Sequence, residues 1–118
     1  MQNSLVIIPT YNEIENIGLM IDTLFTLSNE LHVLIVDDSS PDGTSKKVKI
    51  LQEKNDRLFL LERQEKRGLG TAYIAGFEWG LAQSYNYFFQ MDCDFSHNPN
   101  DLIRLYDALQ KNNLDLCI

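Results

Sequence analysis

The stretch from Val33 to Thr44 reads VLIVDDSSPDGT, and the fold follows from the change of character within it. Four consecutive apolar residues, three of them β-branched, are typical of a strand buried on both faces of a parallel sheet. The run ends at two aspartates, and the serines, proline and glycine that follow predict a turn. We expect a helix from about Thr44 to Lys54, with Val48 and Leu51 on its buried side. The stretch therefore predicts one strand–loop–helix unit.

The same alternation recurs on both sides of that unit. Further strands are predicted at 5–8, 58–61, 87–91 and 114–118, and further helices at 13–28, at 71–82 and around 102–109. The first strand is expected to stop at Pro9, and the first helix to be capped by Asn12, with Glu15 in the capping-box position.

Strands that alternate with helices of this length favour an α/β fold. We predict a doubly wound, mostly parallel sheet with helices on both faces and the strand order 3-2-1-4. The final apolar run stops at Ile118 just after it starts. The sequence therefore predicts that residues 1–118 are part of a longer domain.

Composition limits the classes of function. The chain has 118 residues, 44% of them hydrophobic, and a net charge of -7. This acidity argues against a nucleic-acid partner, because binding to a phosphate backbone needs clustered cations. Cys93 and Cys117 have no CxxC or Cys/His neighbourhood, so buried thiols in a reducing compartment are favoured over a zinc or redox site. No apolar run reaches the ~20 residues of a membrane helix, so we expect a location in the cytoplasm or on the cytoplasmic face of a membrane.

Polar residues follow three of the predicted strands. The first strand runs into Pro9-Thr-Tyr-Asn-Glu13, the second into Asp37-Asp38 and the fourth into Asp92-Cys93-Asp94. In the predicted order the first and fourth strands flank the switch point, and the second strand lies beside them. The three loops should therefore line one ligand-binding crevice at the carboxyl ends of the strands.

Both pairs of acids allow two interpretations. Asp92 and Asp94 suit a hard divalent cation, Mg²⁺ or Mn²⁺, provided that the chain turns after the strand. Alternatively, one of them caps the turn and the other is solvated. Asp37 and Asp38 could begin the turn before Pro41, or one of them could accept hydrogen bonds from a base or ribose.

A basic segment precedes the third helix. Cations beside a helix N-terminus form an anion site, and Arg67 is a candidate anion contact of this kind. For Arg63 and Lys66 we prefer a solvated basic loop that offsets Glu62 and Glu65.

Several other residues are assigned to packing. Gly76 and Gly80, inside the third helix, are expected to allow close packing of that helix. Trp79 and the aromatic residues of 85–89 are interpreted as core, and His32 as structural.

Four motifs together resemble the family-two glycosyltransferases of the GT-A fold, specifically the dolichyl- or polyprenyl-phosphate mannosyltransferases. They are Ile8-Pro-Thr-Tyr-Asn-Glu13 with Asn16, Val36-Asp-Asp-Ser-Ser-Pro-Asp-Gly-Thr44, Gly68-Leu-Gly-Thr-Ala-Tyr73 with Gly76, and Met91-Asp-Cys-Asp-Phe-Ser-His-Asn-Pro99. Each motif alone would be weak, but their order and spacing over nearly the whole chain make the resemblance specific.

The resemblance implies a metal-dependent, inverting transfer of a sugar to a polyprenyl phosphate at a membrane surface. GDP-mannose is the favoured donor, and UDP-glucose is an example of an alternative. The residues it places around the nucleotide sugar are Pro9, Tyr11, Glu13, Ile35, Asp37, Asp92, Cys93 and Asp94. Asp92 and Asp94 are the implied catalytic and metal-holding pair, and Ser96 stands where some relatives have a glutamine ligand. The resemblance also implies that the cations on the acceptor side lie beyond Ile118.

Two other interpretations compete with this one. The stretch from Val33 to Asp38 also resembles the acidic start of a phosphoacceptor receiver domain, in which Asp92 would accept the phosphate. Receivers place the acidic pair after their first strand, whereas here a complete strand–helix unit precedes it, and the lysine they need after a late strand is absent. The protein could also bind a nucleotide sugar without turning it over.

Overall fold

Strands and helices alternate along the chain as predicted. The computed structural model describes residues 3–64, 69–94 and 98–112. The strands are β1 (Ser4–Thr10), β2 (His32–Asp37), β3 (Leu58–Glu62) and β4 (Tyr87–Gln90). The helices are α1 (Ile14–Leu27), α2 (Thr44–Gln52), α3 (Leu69–Ala82) and α4 (Asp101–Asn112). The strand predicted at 114–118, and Cys117 within it, lie outside the described residues.

The four strands form one sheet in the order β3-β2-β1-β4, and all three neighbouring pairs are parallel. This confirms the predicted α/β fold and the predicted strand order. β1 and β4 are adjacent in the sheet, although about 80 residues separate them in the sequence, and they flank the switch point. The carboxyl ends of β1, β2 and β4 therefore lie side by side.

Helices cover both faces of the sheet. Because side chains alternate along a strand, Val6 and Ile8 of β1 belong to one buried cluster, together with residues of α1, α2 and α4. Leu5 and Ile7 belong to a second cluster on the opposite face, which is covered by α3. None of the described helices is both long and apolar enough to cross a membrane.

Close packing of α3 on the sheet depends on two glycines. A Cβ atom at Gly76 would lie 2.5 Å from Cγ2 of Ile7, and one at Gly80 would lie 2.5 Å from Cε1 of Phe88. Contacts this short cannot be accommodated without movement, so the helix depends on the missing side chains. The prediction that these glycines allow close packing is confirmed.

Pro9 does not stop the first strand, contrary to prediction. It lies inside β1 and pairs with Val36 of β2. The carbonyl of Ile7 faces β4, where it accepts a hydrogen bond from the N–H of Met91. Backbone groups of residues two apart in a strand face the same neighbouring strand, so the backbone nitrogen of Pro9 also faces β4. The last paired residue of β4 is Gln90, opposite Ile7, so the N–H that proline lacks has no strand partner to lose.

Candidate active site

The loop after β1 does not form the predicted helix cap. Asn12 adopts a left-handed conformation with φ of 57°, and Glu13 occupies the N-cap position of α1 without a capping bond from its own side chain. The prediction of Asn12 as the cap, with Glu15 completing a capping box, is therefore wrong. The first donors of the helix still need acceptors, and another loop supplies them.

Three consecutive backbone N–H groups at the start of α1 donate to side chains of the β2–α2 loop. The pairs are Asn12 to Ser40 Oγ at 2.9 Å, Glu13 to Thr44 Oγ1 at 3.1 Å and Ile14 to Asp42 Oδ2 at 3.1 Å. Oδ1 of Asp42 accepts two more bonds, from the backbone and the hydroxyl of Thr44. Burial alone would raise the pKa of Asp42, but these hydrogen bonds outweigh it and lower that pKa. The loops after β1 and β2 are therefore joined into one unit.

Asp37 lies at the base of this unit. Its side chain is almost fully buried, with the residue 1% exposed, and it accepts hydrogen bonds from Thr10 Oγ1 at 2.6 Å, Ser40 Oγ at 2.6 Å and Ser40 N at 3.0 Å. These bonds fit the turn interpretation of Asp37. A carboxylate offers about four acceptor sites, so these three bonds leave one site for a ligand. The assignment of Asp37 to the nucleotide pocket stays a prediction.

Asp38 is paired with Arg63, contrary to the prediction of a solvated basic loop. Arg63 donates from Nε to Oδ1 at 2.5 Å and from Nη2 to Oδ2 at 2.6 Å, and the two side chains are 14% and 7% exposed. A third bond runs from Arg63 Nη1 to Thr71 Oγ1 in the first turn of α3, at 3.1 Å. The solvated interpretation of Arg63 is therefore wrong. The carboxylate of Asp38 binds the guanidinium of Arg63 through both oxygens, and so holds it between the carboxyl end of β2 and the first turn of α3. Lys66 lies outside the described residues.

The chain turns at Cys93 and Asp94. Such a turn is the condition under which the side chains of Asp92 and Asp94 can both face one crevice. Tyr73 of α3 donates its hydroxyl to Asp92 Oδ1 at 2.9 Å. Burial raises the pKa of Tyr73, and so do this hydrogen bond and the negative charges of Asp92 and Asp94. The negative charges of both carboxylates therefore raise the pKa of the same phenol. Sequence reasoning included Tyr73 in a motif but gave it no role.

Cys93 is a buried thiol between the two carboxylates, 3% exposed. Burial and the negative charges of Glu13 and Asp94 raise its pKa to about 12. The thiol is protonated at neutral pH, and its burial confirms the prediction that Cys93 is a buried thiol. The influence of Glu13 also shows that the loop after β1 lies near the Asp92–Asp94 turn.

The remaining predicted site residues differ in exposure. Pro9 is half-buried at the end of β1, and Tyr11 is 38% exposed. The side chain of Ile35 is fully buried in the cluster that contains Ile8 and Val33. Its contact with a nucleotide stays a prediction. Ser96 and Arg67 lie outside the described residues.

The two aspartates fit a hard divalent cation only as part of its ligand set. Over residues 3–64, 69–94 and 98–112, no three His, Cys, Asp or Glu side chains form a group that could hold a metal ion. Mg²⁺ and Mn²⁺ take about six oxygen ligands, and such sites commonly use one or two carboxylates together with substrate phosphates and water. Asp92 and Asp94 match that kind of site.

A cavity of about 450 Å³ lies beside this site, between the end of β4 and the start of α4. Tyr73, Met91 and Leu102 are among its lining residues, whereas Asp92 and Asp94 are not. The cavity is therefore a neighbour of the two carboxylates, with Tyr73 common to both.

Residues 5–118 match the family described as Glycosyl transferase family 2. The chain is 47% identical over 109 residues to a polyprenol monophosphomannose synthase of Mycolicibacterium smegmatis, covering 92% of this chain and 41% of that protein. It is 46% identical over 110 residues to an undecaprenyl-phosphate mannosyltransferase of Micrococcus luteus, covering 93% and 45%. The chain thus spans less than half the length of these relatives.

Two solved structures share the fold. The mannosyltransferase PcManGT from Pyrobaculum calidifontis, in complex with GDP-Man and Mn²⁺, matches with a TM-score of 0.73 and 27% identity, covering 86% of this chain and 30% of that one. Residues 1–349 of TarS from S. aureus, in complex with UDP, match with a TM-score of 0.74 and 24% identity, covering 96% and 33%. At that identity the second likeness concerns the fold alone.

Proposed function

The chain belongs to glycosyl transferase family 2, and we propose that it forms the donor-binding part of an enzyme that transfers mannose from GDP-mannose to a polyprenyl phosphate. The observation that carries this proposal is the Asp92-Cys93-Asp94 turn at the switch point, beside the joined loops after β1 and β2. Two relatives at 47% and 46% identity are named for mannosyl transfer to such lipids. Membership of this family also rules out the receiver-domain interpretation.

On the donor side, the end of β1 offers Pro9 to the nucleotide, and the loop after it offers Tyr11 and Glu13. Asn12, Glu13 and Ile14 are held by the β2–α2 loop through three hydrogen bonds, so these groups are positioned before a ligand arrives. Such pre-organisation lowers the entropy cost of binding. Asp37 supports the loop after β2 and has one acceptor site left for the base or ribose.

Asp92 and Asp94 would hold Mg²⁺ or Mn²⁺ together with the donor diphosphate. The ion, when bound, supplies positive charge that stabilises the leaving diphosphate. The side chains of this chain contribute negative ligands and their orientation, and Tyr73 fixes one oxygen of Asp92. A lone carboxylate pair without the ion would repel the diphosphate, so donor binding should depend on the metal.

The proposed reaction is a direct displacement with inversion at the anomeric carbon. An oxygen of the polyprenyl phosphate forms a bond to that carbon while the bond to the β-phosphate oxygen breaks, and GDP leaves with the electron pair. The second pKa of a phosphate monoester is ~6, so the acceptor is largely dianionic at neutral pH and needs no protein base. Because the acceptor is a membrane lipid, the reaction is proposed to occur at a membrane surface.

The test is a transfer assay on the whole protein, since the chain spans only part of its relatives. We expect labelled mannose to pass from GDP-mannose into lipid in the presence of Mn²⁺ and a polyprenyl phosphate. Asp92→Asn should abolish transfer, whereas Asp56→Asn, an exposed aspartate just before β3, should leave it unchanged. Transfer from UDP-glucose but not from GDP-mannose would replace the proposed donor. Nucleotide-sugar binding without transfer to any polyprenyl phosphate would overturn the proposed activity.

A further inference from the structure

Tyr73 of α3 contacts the first aspartate of the Asp92–Asp94 pair through its hydroxyl. Its hydroxyl donates to Oδ1 of Asp92 at 2.9 Å, across 19 residues of sequence. A phenol can donate only one hydrogen bond, so this one is committed to the carboxylate.

The position of Tyr73 follows from the packing of α3. Ala72 is buried against the sheet, and Gly76, one turn further along, brings the helix so close to Ile7 that no Cβ would fit between them. Side chains three residues apart lie on the same side of a helix. Tyr73 therefore projects from a segment held tightly against β1, the strand next to β4.

We propose that Tyr73 is a positioning residue that fixes the carboxylate of Asp92 so that Oδ2, and not both oxygens, is presented to the divalent cation. The inference rests on the proposed function, since it concerns the metal on which donor binding is expected to depend. A hydrogen bond to one carboxylate oxygen restricts rotation of the group and takes one of the two acceptor sites on that oxygen, so the other oxygen is the better ligand. Oδ2 would then be the single, pre-oriented oxygen that Asp92 offers to the cation.

The same hydrogen bond helps to hold the carboxylates of the site in place before a cation binds. Asp92 and Asp94 stand on either side of Cys93, where the chain turns. Negative charges held together repel each other in the absence of a cation. The hydrogen bond from Tyr73 holds the Asp92 side chain in place against this repulsion, and so maintains the ligand geometry until the cation binds.

Tyr73→Phe removes the hydroxyl and keeps the ring that packs against the sheet. Tyr85→Phe is the matched control, because Tyr85 also has one hydroxyl bond, to His32 Nδ1 at 2.6 Å, near the amino ends of the strands. The measurement is GDP binding by calorimetry in the full protein, repeated over a series of Mn²⁺ concentrations. Thermal denaturation of each variant reports the loss of stability separately.

We expect Tyr73→Phe to raise the Mn²⁺ concentration needed for half-maximal GDP binding by about 10- to 100-fold, the range found for partners of metal ligands. Saturating Mn²⁺ should restore GDP affinity, which a general loss of structure would not allow. Tyr85→Phe should leave the Mn²⁺ requirement unchanged.

The outcomes separate the inference from the function on which it rests. If wild-type GDP binding requires Mn²⁺ and Asp94→Asn abolishes it, but Tyr73→Phe has the wild-type Mn²⁺ requirement, the positioning role is wrong and the proposed metal site stands. If wild-type GDP binding is independent of metal, both are wrong. Should Tyr73→Phe not fold, NMR of the wild type decides: paramagnetic Mn²⁺ must broaden the Tyr73 ring signals far more than those of Tyr85, and equal broadening would overturn the inference.

Discussion

The two ends of the parallel sheet are built from different kinds of contact, although α3 runs from one to the other. At the carboxyl end, charged and hydroxyl side chains join the loops; the pairs are Thr10–Asp37, Arg63–Asp38 and Tyr73–Asp92. At the amino end, rings pack on one another; they are His32, Phe59, Trp79, Tyr85 and Phe88. The proposed function assigns ligand binding to the carboxyl end, whereas the ring contacts at the amino end stabilise the fold.

Charge shows the difference most directly. The carboxyl end brings Asp92, Asp94 and Glu13 close enough to influence the groups between them. At the amino end, Arg57 donates to the carbonyls of Ser28 and Leu31 and lies 4.6 Å above the ring of Phe25. The positive charge of Arg57 therefore interacts with groups of the fold itself. Charges of one sign held together repel each other, so the proposed function predicts that a divalent cation binds at this collection of acids.

The largest effect is expected for Asp94→Asn, which removes a carboxylate from the carboxyl end. Asp94 is exposed, so the substitution should leave the free energy of unfolding unchanged or slightly higher because repulsion falls. Mn²⁺-dependent GDP binding should become undetectable by calorimetry. An unchanged Mn²⁺-dependent affinity would remove the assignment of Asp94 as a metal ligand, and with it the contrast between the two ends.

The next effect is expected for Asp37→Ala, which tests whether a carboxylate at this end is structural as well. The change leaves the hydroxyls of Thr10 and Ser40 without their buried acceptor. We expect the free energy of unfolding to fall by about 3 kcal/mol, measured by urea denaturation. If Asp37 also contacts the nucleotide, GDP affinity will fall by a further ~1–3 kcal/mol at temperatures where the variant is folded.

The exposed Asp56→Ala is the control for Asp37→Ala and should change neither quantity. A loss of stability without a loss of nucleotide affinity would leave Asp37 as a turn residue only. A loss of affinity with unchanged stability would contradict the role that its buried hydrogen bonds indicate.

The arrangement of the strands was predictable because it depends on local patterns. Short apolar runs, each followed by polar residues, predict the parallel strands, and the strand order then places three loops at one crevice. Right-handed crossovers leave few alternatives to this order. The position of the Asp92–Asp94 turn at the switch point follows from the sequence for the same reason.

The contacts within the site were not predictable because the partners are distant in sequence. Asn12 meets Ser40 across 28 residues, Arg63 meets Asp38 across 25 and Tyr73 meets Asp92 across 19. Local rules favoured a capping box at Asn12 and a solvated Arg63. In the structure, the backbone N–H of Asn12 and the guanidinium of Arg63 donate to residues far away in the sequence, Ser40 and Asp38. No signal in the sequence identifies those acceptors.

A smaller effect should separate the two ends along α3 itself. A Cβ at Gly76 would press on Ile7, and one at Gly80 would press on Phe88 and Leu5. Overpacking of this kind costs about 1–3 kcal/mol, so Gly76→Ala and Gly80→Ala should both lower stability in urea denaturation. Because Gly76 lies one turn from Tyr73, only Gly76→Ala should also raise the Mn²⁺ requirement for GDP binding. Equal Mn²⁺ requirements in the two variants would show that the position of α3 does not control the metal site.

The smallest effect is expected at the amino end, where His32 should make stability depend on pH. Burial and the positive charge of Arg57 lower the pKa of His32 below its usual 6.5. The folded state therefore binds the proton less readily than the unfolded state, and stability must rise with pH across this window. The contribution of His32 to the free energy of unfolding is fully present above pH 6.5. It is lost as the pH falls from 6.5 through the lowered pKa of His32 in the folded state.

The measurement is urea denaturation at a series of pH values between 5 and 7.5, in the wild type and in His32→Gln. Only two histidines occur in the chain, so His97→Gln is the matched control for the other imidazole. His32→Gln should flatten the rise in stability with pH, and His97→Gln should retain it. Mn²⁺-dependent GDP binding at pH 7 should be unchanged in His32→Gln, because the bond between His32 and Tyr85 lies at the end of the sheet away from the carboxylates. If His32→Gln changed the Mn²⁺ requirement, the amino end would be coupled to the site through α3, and the division between a binding end and a stabilising end would not hold.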